Sequence, residues 1–195
     1  MTAKTDLVKV TIPSLAMNEA ELMAVLQSSL YAGAKPESIK LVIGYCKACN
    51  LDPMQKPVHI VPMSVKLPKK NKTDEDVYEM RDVIMPGIGL YRTQATDSGE
   101  YVGRTEPEFG PMAVLNYGKG EKAGKIEYPE WCRVTVRRLV QGVVAEFTHR
   151  ELWIENYATV GRYTDEPNSM WKKRKFGQLA KCTEAQALRI AFSDR

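Results

Sequence analysis

WCRVTVRRLVQGVVAEFTHRELWI, residues 131–154, decides the fold class. Apolar and polar residues alternate along it, the period of a strand with one buried face. Gln141-Gly142 interrupts that alternation and fits a two-residue hairpin turn. A turn there sets Leu139 opposite Val144, Val136 opposite Phe147 and Val134 opposite His149, pairs that pack well. Arg137 then faces Glu146 as an ordinary ion pair, whereas Arg133 faces Arg150, an unfavourable apposition by itself. Cys132, Val134 and Val136 share one face of the strand and Arg133, Thr135 and Arg137 the other. A sheet of this kind packs on its apolar side. Its arginine side is either solvated or turned to a polyanion.

Upstream of the hairpin, PGIGLYRTQA (86–95) passes from a glycine turn into a short helix, and TDSGEYVGRTEPEFGP (96–111) turns and forms at least one strand. PVHIVPM (57–63) and DVYEMRDVIM (76–85) read as strands, joined by the polar loop KLPKKNKTDED (66–76), expected to be solvated or mobile. Asn18-Glu-Ala-Glu21 resembles a capping box, and Leu22, Val25, Leu26 and Leu30 form one apolar stripe ending near Tyr31-Ala-Gly33. Pro36 opens a second helix that stops at Asn50. Residues 1–17 are set apart as an N-terminal segment, flexibility being one of its options. Downstream, GQLAKCTEAQALRIAF (177–192) carries Leu179, Thr183, Gln186 or Ala187, and Ile190 at helical spacing. Helices, antiparallel strands and a closing helix give an α+β class: an antiparallel hairpin and sheet packed with several helices, in a single domain over residues 18–195.

The chain has 195 residues, with 28 Lys and Arg against 24 Asp and Glu, a formal net charge of +4. That balance alone does not indicate nucleic acid, but its distribution does more. From Asn168 to Cys182 there are five cations and no acid. No apolar run approaches the roughly 18 residues of a membrane span, and the first residues lack a signal-peptide core. A cytoplasmic protein without membrane attachment is expected. Cys46 and Cys49 form a C-x-x-C, but no second pair completes a metal set, and Cys46 continues the Ile39, Val42, Ile43 stripe as a buried thiol. NYGKGEKAGK (116–125) fails as a phosphate loop, because Lys119 stands where the first glycine belongs and Ile126 where Ser or Thr belongs.

MWKKRKFGQLAKC (170–182) concentrates the charge. Lys172, Lys173, Arg174 and Lys175 precede a helix read as starting at Gly177, where the positive end of the helix dipole makes like charges costly unless an anion relieves them. Trp171 and Phe176 flank the run, and rings beside cations can hold bases and phosphates together. The alternative is a solvated basic surface over a buried Trp171. Lys181, Ala185 and Arg189 recur every four residues, so a small side chain lies between two long cationic arms on one helix edge.

YRTQATDSGEYVGRTEPEFGP (91–111), ELWIENYATVGR (151–162) and MWKKRKFGQLAKCTEAQALRIAF (170–192) together resemble the Bet/RecT (Redβ) family of phage single-strand annealing proteins. The order of LVIGYCKACNLDPMQKPVHIVPM (41–63) ahead of GIGLYR (87–92) agrees, and the similarity runs from about residue 36 to the end. The resemblance implies ATP-independent binding of single-stranded DNA and annealing of complementary strands in homologous recombination. It implies a ring or helical homo-oligomer in the bacterial host cell, a phage exonuclease partner and no required cofactor, with magnesium assisting annealing. Position by position it suggests DNA-backbone roles for Lys56, Arg137, Lys172 to Lys175, Lys181 and Arg189, with Arg92 and Arg162 at further basic positions. With Arg133 and Trp171 added from the hairpin and the basic run, these form the expected DNA-binding set. The family also implies a partner-binding region beyond this last helix. No catalytic or metal-ligating residue is expected of an annealing protein. The alternative is a metal-dependent nuclease built on Glu100, Glu106 and Glu108, although no base or D-E-K arrangement accompanies them.

Overall fold

The computed structural model describes residues 17–68, 76–120 and 123–194. The expectations placed on residues 1–16, on the middle of the 66–76 loop and on residues 121–122 lie outside those. The described residues fall into two compact units, one within residues 17–54 and 60–84 and the other within residues 55–59 and 85–194.

In the first unit Asn18 caps α1 (Glu19–Val25) by accepting from the Glu21 amide, while the Glu21 carboxylate accepts from the Asn18 amide. The capping box is therefore complete. The helix widens into a π turn over Leu26–Leu30, which buries Leu26. Helix α2 (Pro36–Ala48) starts on its proline and buries Ser38, Ile39, Val42, Ile43 and Cys46 on one face. Burial pushes the Cys46 thiol pKa up, with Cys49 and Asp52 adding to the shift. Strands β1 (Val58–Lys66) and β2 (Tyr78–Pro86) pair as a two-stranded sheet. The Ser38 hydroxyl lies 2.6 Å from Asp82, tying α2 to β2.

The second unit is built on β7 (Trp131–Val140) and β8 (Val143–Leu152), an antiparallel hairpin. Its register pairs Leu139 with Val144, Val136 with Phe147, Val134 with His149, Arg137 with Glu146 and Arg133 with Arg150, as the sequence alternation requires. Gln141 and Gly142 have φ of 50° and 81°. Positive φ at both turn positions is what a primed hairpin turn demands, and glycine meets it without a Cβ clash. The other edge of β7 takes β3 (Tyr101–Arg104) and β4 (Glu108–Phe109) in succession. Strands β5 (Met112–Tyr117) and β6 (Gly124–Pro129) form a separate two-stranded sheet. Helix α3 (Ile88–Asp97) precedes these strands, and the short helices α4 (Trp153–Asn156) and α5 (Ser169–Lys173) follow them. The α+β class holds.

Helix α6 (Lys175–Ala191) covers the apolar face of β7. Val136 shares a core with Ala187, Leu188, Ala191, Phe192 and Ala95. Cys132 and Val134 share the adjoining core with Leu179, Trp153 and Trp171. Tyr128 and Tyr157 stack on the two sides of Trp153 at 4.3 and 4.6 Å. The expected stripe of α6 is right at Leu179, Thr183 and Ala187 but wrong at Ile190, which is 48% exposed. Leu188 and Ala191 take its place, because the helix rests on the sheet slightly rotated from the i+4 reading.

Leu179→Ala empties a fully buried position and is expected to cost about 2–5 kcal/mol. Ile190→Ala on the exposed side should stay within about 0.5 kcal/mol. Urea unfolding of both variants measures the contrast.

Candidate nucleic-acid interface

Packing the apolar side of α6 onto β7 leaves the Lys181, Ala185, Arg189 edge outward. Lys181 and Arg189 are both exposed and lie about 12 Å apart along the axis. Neither has an acidic partner among the described residues. The Arg189 guanidinium donates to Gln186 at 3.1 Å and stands 6.0 Å from the Tyr91 ring centre on the neighbouring α3. The positive field continues to the start of α3. Partial burial first, and then the charges of Lys56 and Lys181, hold the His59 imidazole below the usual histidine range. His59 lies against Gly87, the N-cap of α3, where a Cβ would come 2.8 Å from Nε2. The Gly87 amide donates to the Pro57 carbonyl at 3.0 Å. Lys56 has φ of 51°, a left-handed conformation that a lysine adopts only when its surroundings hold it there. Lys56 and Lys181, far apart in sequence, thus act on one imidazole.

The basic run sits differently from expectation. The cations do not crowd the foot of a helix beginning at Gly177. Asn168 caps α5, Arg174 breaks the helix with φ −126° and ψ 43°, and α6 starts at Lys175. Lys172 donates to Glu166 and lies 4.8 Å from the Tyr117 ring centre, and the hydrogen bond to Glu166 raises its pKa. Lys175 donates to the Glu127 carbonyl. Lys173 and Arg174 are exposed and have no acidic partner among the described residues. Trp171 requires a correction. It is only 6% exposed and meets Trp153 edge-on at 5.8 Å, so its ring is committed to the core rather than offered to a base. Phe176 turns an edge contact to Phe109 at 5.0 Å.

The hairpin arginines occupy the opposite face of the sheet from α6. Arg133 is paired with Glu108 and Arg137 with Glu146, the latter at 2.8 Å. Arg133 and Arg150 each stand 5.9 Å from the Trp131 ring, whose face moderates their like-charge apposition. Arg133 and Arg137 therefore do not share a surface with Lys181 and Arg189. Arg162 stands 5.6 Å from the Tyr163 ring. Arg92 reaches the α6 edge but spends two nitrogens on Glu184, at 2.7 and 2.8 Å, and that carboxylate raises its pKa. Glu184 is 4% exposed and is also held by Arg104 at 3.3 Å.

Two groups escaped the sequence reading. Glu184 is one, since its arginines lie on distant α3 and β3. Arg138 is the other. It donates to the Ala191 carbonyl at 2.6 Å, to Asp194 at 2.7 and 2.8 Å and to Glu100 at 2.8 Å, and it stands 4.8 Å from the Phe192 ring. A cation at the C-terminal end of α6 complements the helix dipole, and Asp194 and Glu100 raise the Arg138 pKa further. The acids proposed for a nuclease are dispersed: Glu100 is bound to Arg138 and Glu108 to Arg133. Among the described residues no three His, Cys, Asp or Glu side chains converge on a metal position, and the nuclease alternative is not favoured. Nor is any helix among them long and apolar enough to cross a membrane.

A family model described as the RecT family matches residues 17–195. No curated protein matches the chain.

Replacing Lys181 by Gln removes one of the two charges acting on His59. The His59 pKa, followed by imidazole C–H chemical shifts, is then expected to rise towards the ordinary value of about 6.5. The depressed pKa means that the folded state gives up stability as pH falls through that range, and the Lys181→Gln variant should give up less.

Proposed function

The chain belongs to the RecT family, whose members are annealing proteins of phage recombination, and on that premise we propose that it binds single-stranded DNA through its phosphates and pairs it with a complementary strand. The observation that carries this reading is the sorting of cations by partner. Among the described residues Arg92, Arg133, Arg137 and Lys172 are matched to acids, whereas Lys173, Arg174, Lys181 and Arg189 have no acidic partner. Exposed charge on one helix and its approach is solvated in isolation and gains by releasing counterions from a polyphosphate. Lys56 belongs to the same field through His59. Ala185 between the two arms of α6 leaves room for a backbone to approach closely.

Contacts to phosphate hold a strand without reading its sequence. The base edges stay free to test a second strand. Each base-pair step that forms contributes about 1.4 kcal/mol, so about ten steps supply roughly 14 kcal/mol and no nucleotide hydrolysis is needed. The protein acts in this scheme as a scaffold rather than an enzyme, without a required cofactor, magnesium assisting by screening the two strands. Many copies side by side, as a ring or a helical filament, would extend the track, and an exonuclease would expose the strands.

If the four unmatched cations each neutralise one phosphate, log affinity falls by about 2.8 per log unit of salt, or roughly fiftyfold between about 50 and about 200 mM. Fluorescence anisotropy with oligonucleotides of unrelated sequence measures this, and a flat salt response would remove the proposal. Lys181→Ala and Arg189→Ala should each weaken binding to every sequence alike and lower the slope by about 0.7.

A further inference from the structure

Between α3 and α6 lies a pocket of about 270 Å³ lined by Tyr91, Gln94, Leu188, Arg189, Phe192 and Ser193. Its floor is apolar, since Leu188 and Phe192 are 2% and 6% exposed. Its rim is polar, and the Tyr91 hydroxyl, the Gln94 amide and the Ser193 hydroxyl make no hydrogen bond among the described residues. A flat apolar body with hydrogen-bonding edges is what such a cavity accepts. Arg189, one of the proposed phosphate contacts, forms a wall of it.

We propose that this pocket receives one base of the bound single strand, stacked between the Tyr91 ring and the Arg189 guanidinium. The inference rests on the single-strand-binding reading above and adds a base contact to it. The spacing supports the arrangement. The guanidinium carbon stands 6.0 Å from the ring centre, at the outer limit of a cation–π contact. Two stacking gaps of about 3.4 Å, the rise of a base stack, need about 7 Å. An outward swing of about 1 Å by an exposed arginine, held by a single 3.1 Å hydrogen bond to Gln186, opens that gap. The Gln94 amide carries both donors and an acceptor, so it can meet the edge of any base, which keeps the contact tolerant of sequence. Asp194, next to Ser193, is neutralised by Arg138 and does not repel the strand. A base held here is withdrawn from pairing, so the pocket belongs to the single-stranded state and must empty as the complement anneals.

The test uses the full chain with two strands of equal length, oligothymidylate and the same backbone carrying abasic residues. Wild type is expected to prefer the base-bearing strand by about tenfold, within the range of one base–aromatic stack. Tyr91→Leu and Gln94→Ala should each shrink that preference while leaving the salt slope unchanged, and Tyr91→Phe, which keeps the ring, should retain most of it. A strand carrying 5-iodouracil should photocrosslink to Tyr91 or Phe192, a readout that does not depend on the variants folding. An undiminished preference in both Tyr91→Leu and Gln94→Ala, or crosslinks confined to other residues, would overturn the pocket and leave phosphate binding standing. Salt-independent binding, or none to either strand by wild type, would instead overturn the single-strand reading itself.

Discussion

Cys132, Val134 and Val136 leave the solvent chiefly because Leu179, Thr183, Ala187 and Leu188 of α6 lie against their sheet. Burying each large apolar side chain stabilises the fold by about 1.5–3 kcal/mol, whereas an exposed ion pair contributes about 0–1 kcal/mol. The seat of α6 is therefore fixed by its apolar side, and its cations go where that seat puts them. Lys181 and Arg189 face outward because Leu179, Ala187 and Leu188 face inward. Rotating the helix to bury a cation would cost more than any surface pairing could return.

Acidic residues divide the remaining positive charge. Glu184, on the buried side of α6, draws Arg92 and Arg104 towards it from α3 and β3. Such a group costs desolvation, and two guanidiniums answer it with charge-assisted hydrogen bonds. Removing either arginine would leave a buried carboxylate underpaired. Arg138 joins Glu100, Asp194 and the end of α6 in the same manner. These arginines hold secondary-structure elements in place. Lys173, Arg174, Lys181 and Arg189 make no such ion pair among the described residues.

The hairpin was fully legible because two independent signals agreed: period-two alternation set the faces and Gln141-Gly142 set the turn, leaving one register. The capping box at Asn18 and the stripe of α2 were legible for the same reason, each being a local pattern. What was not legible depends on contacts between distant segments. Trp171 beside four cations reads as a stacking platform, and only the approach of Trp153, Tyr128 and Tyr157 shows that the core claims it. Composition left both options open at that residue. The partners of Arg92, Arg133 and Arg138 lie on other elements, so no spacing reveals that they are paired. The separation of Arg133 and Arg137 from Lys181 and Arg189 follows from which face of β7 the helix covers. The assignment of residues 55–59 and 85–86 to the second unit, which brings Lys56 to His59 near Lys181, likewise has no local signature.

The order in which β7 and α6 occur along the chain has a consequence during synthesis. The β7–β8 hairpin is encoded ahead of the helix that roofs it, which lies between Lys175 and Ala191. Translation at about 5–20 residues per second leaves an interval of about 2–8 s in which Cys132, Val134 and Val136 stand unroofed on the nascent polypeptide. In that interval the unfinished sheet is a substrate for holding chaperones and a place where neighbouring nascent chains can stick. The opposite face carries its own ion pairs, Arg133 with Glu108 and Arg137 with Glu146, and needs no roof.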